Sequence, residues 1–277
     1  MVADEHGGGD GPEGKVGARV VSRQTGRICG KPVVERLMER HFHGCEIEWN
    51  VSEGGKISEG DLILELRGSY VQALQAERIL LNILGGLSGI ATNVALWSEA
   101  AGEIDVAATR KADLGLLHKW AVHVGGGLTH RLSRGDALMI KENDIAAMRL
   151  DGEGDSEALR RVVMSMDMDE HSDFTVFEVR EVDQALVVAS AWDHVQERRG
   201  GAARVVILLD NMGPVEARQV NEALSESSLR HWCVLEGSGG VDLDSLSEWK
   251  ESGVDVVSSS ALNRGVSPLD LSMLFEG

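Results

Sequence analysis

The chemistry in this sequence is concentrated in charged residues that follow short apolar runs. Val106-Ala107-Ala108 leads into Arg110 and Lys111, and Ala137-Leu138-Met139-Ile140 leads into Lys141, with His130 and Arg131 in the stretch ahead of it. The middle runs end on acids: residues 174–177 on Glu178, 205–209 on Asp210 and 232–235 on Glu236. Small residues follow late in the chain, Ser238-Gly239-Gly240 and then Ser258-Ser259-Ser260-Ala261. Arginine offers a bidentate fork and lysine a compact charge, so the cations suit a ligand with several carboxylates or phosphates. Gathering them costs self-repulsion that an anion relieves. Glu178 and Asp210 suit a divalent cation or sugar hydroxyls, with salt bridges to nearby cations as the alternative use. Glycine and serine after a strand can turn backbone N–H groups toward a phosphate, although a plain turn uses the same residues.

These residues need a frame that delivers them to one place. After Val106 the apolar runs alternate with amphipathic segments at 157–166, 182–195, 214–224 and 243–250. Near-continuous apolar runs of this kind predict parallel strands covered by helices. A polar residue at the end of every run favours a (β/α) barrel over an open doubly wound sheet, which gathers its ligand groups at one switch point. Six runs fall short of the eight strands of a closed barrel, so either the barrel is incomplete or a strand is hidden. Gly125-Gly126-Gly127 reads as the stop of the helix before it. His118 and His123 in that helix lack metal-ligand spacing.

Ahead of the barrel, residues 16–67 alternate in the manner of short strands at 18–22, 28–30, 46–51 and 62–66. Residues 33–42 have helical spacing, with Val34, Leu37, Met38 and Phe42 on one face. This reads as a small α+β unit carrying little chemistry. Tyr70–Ala101 reads as helix in two pieces, broken near Gly85-Gly86, with Arg78 just ahead of an apolar run. Ile79–Trp97 is apolar enough to raise the question of a membrane span. Its asparagines and glycines and the following Glu99 and Glu103 favour a buried helix instead.

A formal net charge of -18 opposes binding to nucleic acid or to an anionic membrane. Arginine outnumbers lysine and acids outnumber both, which fits either a high-salt cytoplasm or a GC-rich genome. Cys29, Cys45 and Cys233 have no CxxC spacing, so neither a disulfide nor a cysteine zinc site is expected. The first residues have no basic segment followed by an apolar core, and a soluble, cytoplasmic protein is expected. There is no Walker loop, no dinucleotide-binding glycine motif, no nucleophile elbow and no HExxH.

Several spaced motifs carry a resemblance. They are ERILLNILGGLSGIAT (77–92), ATRK (108–111), GGGLTHRLSRGDALMIKEND (125–144), LLDNM (208–212), LEGSGG (235–240) and SSSALNRGVSPLDLS (258–272). In this order they resemble the type II phosphoribosyltransferases, and among them the quinolinate phosphoribosyltransferases. The resemblance implies an N-terminal α/β sandwich with connecting helix (residues 1–104), an incomplete (β/α) barrel of parallel strands (105–266) and a C-terminal segment (267–277) returning to the first domain. It implies transfer of phosphoribose from phosphoribosyl pyrophosphate to quinolinate with loss of CO2, assisted by Mg2+, in a homodimer or a multiple of dimers. Carried over by motif, Arg78 resembles an arginine that completes a neighbouring subunit's site. Arg110, Lys111, His130, Arg131 and Lys141 resemble the quinolinate and pyrophosphate site. Glu178 and Asp210 resemble the acidic pair near the ribose and Mg2+. Ser238, Gly239 and Gly240, with Ser260 and Ala261, resemble the cradle of the 5′-phosphate. Lys111, Lys141, Glu178 and Asp210 are then the catalytic set.

The chain departs from the family pattern at Asp113, Asp144, Ser260 and Arg264. Two other functions fit the same frame. One is a relative with a shifted substrate, of the molybdenum-operon type. The other is a non-catalytic barrel that binds phosphorylated ligands.

Overall fold

A computed structural model describes residues 14–133, 135–166 and 174–276. In chain order the elements begin with β1 (Lys15–Ser22), β2 (Gly26–Arg27), α1 (Lys31–His41), β3 (Cys45–Trp49), β4 (Lys56–Ile57), β5 (Leu62–Ser69) and α2 (Tyr70–Ala101). There follow β6 (Asp105–Ala108), α3 (Leu116–Gly125), β7 (Ala137–Ile140), α4 (Glu142–Met148), α5 (Asp155–Ser165), β8 (Phe174–Val179) and α6 (Val182–Arg199). The last are β9 (Val205–Asp210), α7 (Gly213–Glu226), β10 (Cys233–Ser238), α8 (Leu246–Trp249), β11 (Val256–Ser259) and β12 (Leu271–Phe275). The chain forms two units, one of residues up to Asn93 with those from Val266 onward, the other Val94–Gly265.

The first unit is built on a four-stranded sheet of order β12-β1-β5-β3. Alternating residues of its strands, Ala18 and Val20 on β1 and Leu64 and Leu66 on β5, are buried together with Val34 and Met38 of α1 and Leu80 and Leu84 of α2. Residues 28–30 are not a strand. The β2 pairing ends at Arg27, and Gly30 takes a left-handed φ of 110° to open α1. A side chain would be strained there.

Helix α2 is one unbroken helix, which corrects the break expected near Gly85-Gly86. Gly85, with Gly89 one turn on, serves close approach instead. A Cβ at Gly89 would lie 2.3 Å from the Ser267 carbonyl oxygen, and one at Gly85 2.9 Å from that of Leu269. The incoming segment is then bonded through Leu269 N–H to Gly85 O (2.9 Å). The boundary between the units also falls inside this helix, earlier than the residue 104 expected from sequence. By length and composition alone α2 could cross a membrane, and half of its most apolar window is buried inside the protein.

The second unit holds a six-stranded sheet of order β6-β11-β10-β9-β8-β7, with every pairing parallel. It curls into a half-barrel. β6 and β7 are consecutive in the chain yet stand at opposite edges, so the barrel's gap lies between them. Buried Val176, Phe177, Ile207, Leu209, Leu235 and Val257 form near-continuous apolar runs, as strands covered by helices require. Around them α6 buries Val188, Ala189 and Trp192, and it ends where Gly200 turns left-handed after Arg198 and Arg199. Cys29, Cys45 and Cys233 are buried and free.

Candidate active site

At the carboxyl ends of the parallel strands lies a cleft of about 310 Å³. Its acids come from the strands themselves. Glu178 of β8 is in register with Leu208 of β9, and Leu208 with Glu236 of β10. One layer higher, Asp210 is in register with Ser238, and Ser238 with Ser258. All six of these residues line the cleft, as alternation along parallel strands dictates.

The cations come from the two edges of the gap. Arg110 and Lys111 follow β6, Lys141 follows β7, and His130 and Arg131 lie in the segment that leads from α3 to β7. Gly126, with φ 101°, stops α3, so the glycine triplet acts as a helix terminus. Its neighbour Gly127 has no room for a Cβ, which would sit 2.9 Å from Val94 Cγ1.

Several of these charged groups have defined partners. Lys141 Nζ pairs with Glu178. Asp210 accepts from Arg180 at 3.1 Å, and Arg180 also pairs with Glu142. His130 has a φ of 56°, rare for a residue with a side chain, and its Nε2 lies 2.9 Å from the buried Glu236 carboxylate. Arg131 is buried and donates to Ala137 O (3.3 Å) and toward Met139 Sδ (3.1 Å). The Lys111 carbonyl accepts from Asn263 Nδ2 at 3.0 Å.

The structure therefore gathers Arg110, Lys111, His130, Arg131, Lys141, Glu178, Asp210 and Ser238 around one cleft. Gly239 and Gly240 stand just past its wall at the end of β10, and Ser260 and Ala261 just past it at the end of β11. Gly239 and Gly240 have φ of 91° and 66°, and a Cβ at Gly239 would collide with Asn211 Oδ1 at 2.2 Å. The Ala261 N–H donates to Ser259 Oγ, which in turn donates to Val241 O. Arg78 is exposed on α2 in the first unit.

The departures from the family pattern have structural partners. Asp144 caps α4: its carboxylate accepts from Lys141 N–H, and its own N–H donates to Lys141 O, both at 2.9 Å. Asp113 and Arg264 face each other at 4.0 Å.

Sequence reasoning missed Arg180, Asn263 and Lys119. Lys119 lies on the buried face of α3, one helical turn from Val122. Its amine donates to Ala108 O (2.8 Å) and to Thr129 O. Burial, then repulsion from Arg110 and Arg131, pull its ammonium down to about 8, against an opposing pull from Glu236.

Among the described residues no group of three or more His, Cys, Asp or Glu is placed to hold a metal. Glu178 and Asp210, on neighbouring strands, are a pair. Mg2+ is commonly held by one or two carboxylates together with a substrate's phosphates, and such a pair fits that pattern.

Comparison with known proteins settles the family. The family model described as Quinolinate phosphoribosyl transferase, C-terminal domain, matches residues 90–274, and its N-terminal counterpart matches residues 10–88. The chain belongs to the quinolinate phosphoribosyl transferase family. This family member is 35% identical to a probable nicotinate-nucleotide pyrophosphorylase (carboxylating) of Methanothermobacter thermautotrophicus, over 95% of this chain and 89% of that one. It is 31% identical to quinolinate phosphoribosyltransferase (decarboxylating) 1 of Nicotiana glauca, over 92% and 72%. Among solved structures it resembles the nicotinate-nucleotide pyrophosphorylase of Francisella tularensis, with a TM-score of 0.80, 25% identity and coverage of 96% and 88%. It also resembles NadC of Streptococcus pyogenes, with a TM-score of 0.76, 30% identity and coverage of 95% and 88%.

Proposed function

We propose that this quinolinate phosphoribosyl transferase family member joins quinolinate to phosphoribosyl pyrophosphate in the cleft of the half-barrel. The products are nicotinate mononucleotide, CO2 and pyrophosphate, on the route to NAD. The observation that carries the reading is the cleft itself, where cations from both edges of the gap face acids held on the central strands.

A dicarboxylate and a pyrophosphate must share that space. Arg110, Lys111, His130, Arg131 and Lys141 would hold them and offset their mutual repulsion. The ring nitrogen attacks the anomeric carbon, and the bond to pyrophosphate breaks with its electron pair leaving on the oxygen. Positive charge grows on the ribose as this happens, beside Glu178 and Asp210. The carboxylate next to the ring nitrogen then departs as CO2. Its bonding pair stays on the ring carbon beside the new pyridinium charge and is quenched by a proton. No enzyme nucleophile is required, so the protein's work is positioning and neutralisation.

Glu178 and Asp210 would hold Mg2+, which would supply charge neutralisation to the pyrophosphate. In doing so they would exchange their present partners, Lys141 and Arg180. Ser238, Gly239 and Gly240, with Ser260 and Ala261, suit the 5′-phosphate, since two left-handed glycines expose backbone N–H groups there. We assign Arg78 to the site of a second copy in a dimer. Its exposure, and that of Val71 and Leu74 on the same face of α2, support this.

The test mixes purified protein with quinolinate, phosphoribosyl pyrophosphate and Mg2+ at low and high salt. Nicotinate mononucleotide is the expected product. A folded protein that makes none under either condition overturns the reading.

A further inference from the structure

Two backbone segments deliver four of the five basic side chains of the cleft, and they run side by side only briefly. Leu128 N–H donates to Val106 O (2.8 Å) and Ala108 N–H to Leu128 O (3.0 Å), extending the ladder of β6 by one isolated bridge. Beyond Ala108 and Leu128 no further backbone bond joins the two segments among the described residues. Each then carries its charges into the cleft, Arg110 and Lys111 on one and His130 and Arg131 on the other. The next link is a side chain. Lys119 reaches from α3 to the carbonyl of Ala108, the last residue of β6, and to the carbonyl of Thr129, the residue before His130.

We propose that Lys119 is the positioning residue of the cationic edge: its side chain fastens these two segments together where their ladder ends. The proposal rests on the reading of the cleft as a site for a dicarboxylate. Lysine suits the task because its flexible stem ends in several donors that can satisfy carbonyls of separate segments. Lys119 is 5% exposed, and hydrating water cannot replace these bonds.

The location links the fastener to ligand charge. Arg110 and Arg131 repel the ammonium, and Glu236 attracts it. Glu236 is also the partner of His130, and its other carboxylate oxygen, Oε1, is buried without a hydrogen bond. One buried carboxylate thus supports both the imidazole and the lysine. Burial chiefly holds the Lys119 ammonium near 8 and repulsion from Arg110 and Arg131 adds to it, a contribution that a dianion in the cleft would offset. Above that pH, binding the dianion therefore draws a proton onto Lys119.

Two experiments test this. Hydrogen exchange needs no ligand. Lys119→Met should raise exchange in residues 107–113 and 128–133 by about tenfold or more, with β9 and β10 unchanged. Unchanged exchange in both segments overturns the fastening role. Calorimetry at about pH 8.5, with quinolinate titrated in buffers of different ionisation enthalpy, reads the proton directly. Wild-type protein should take up a fraction of a proton, and Lys119→Arg, which keeps the charge but does not titrate, should lose that uptake. Equal uptake by both proteins, or wild-type binding with no uptake, overturns the linkage. If quinolinate fails to bind folded wild-type protein, the substrate assignment falls, and the exchange result alone decides the role of Lys119.

Discussion

Glu178 and Asp210 sit on strand residues whose neighbours are set by the parallel ladder, whereas Arg110, Lys111, His130 and Arg131 sit on backbone that has already left it. The ladder needs no particular side chain to place an acid. Any sequence that forms β8 and β9 puts residues 178 and 210 on the cleft face. The irregular segments have no such guarantee, so side chains hold them: Lys119 beneath two carbonyls, Asn263 on the Lys111 carbonyl, and Glu236 on the His130 ring. A site can thus inherit rigidity from backbone on one side and from buried polar contacts on the other. The second construction is the more easily broken.

The largest test of this contrast removes the cations themselves. Lys111→Ala and Arg131→Ala should each lower kcat/KM by about 100-fold or more, since each deletes a charge aimed at developing or bound anions. Near wild-type kinetics in either variant would move the anion site elsewhere. A second test uses pH. The unfolded chain keeps the Lys119 proton up to 10.5 and the folded protein only to about 8. Between those values the unfolded state binds more protons, so stability rises with pH, by up to about 3 kcal/mol. Urea melts across that range should show the rise in wild type and lose it in Lys119→Met. An equal rise in the variant would assign the effect to other groups.

Smaller effects probe the remaining fasteners. Asn263→Ala removes one neutral hydrogen bond to the Lys111 carbonyl and should cost about 1 kcal/mol, read as a several-fold loss in kcat/KM. A loss as large as that of Lys111→Ala would mean that Asn263 touches substrate. The Asp113–Arg264 pair is the weakest link, since both side chains are more than half exposed. Arg264→Ala should shift the melting temperature by no more than about 4 °C.

The strand ends were legible because they obey a periodic rule. Apolar runs closing on Lys141, Glu178 or Asp210 mark a carboxyl end wherever the strand falls in the sheet. Pairing partners were not legible, since nothing local places β6 beside β11 or opens the gap between β6 and β7. Gly85 was misjudged because a glycine that breaks a helix and one that admits a passing chain look alike until the passing chain, residues 267–269, is known. Lys119 was hidden for a related reason. A lysine on a helix reads as solvated unless the carbonyls awaiting it, from Ala108 and Thr129, are already in view. Asp144, a departure from the family pattern, caps α4, a role that depends on the N–H of Lys141 three residues earlier.

The pairing of β12 with β1 sets Ala18 against Phe275, nearly the full length of the chain apart. During synthesis on the ribosome, β1 and β5 can pair early, but the outer side of β1 stays open until the last strand has emerged. The whole half-barrel is translated in that interval. The half-barrel strands β6 to β11 are therefore made before the first sheet can be completed by β12.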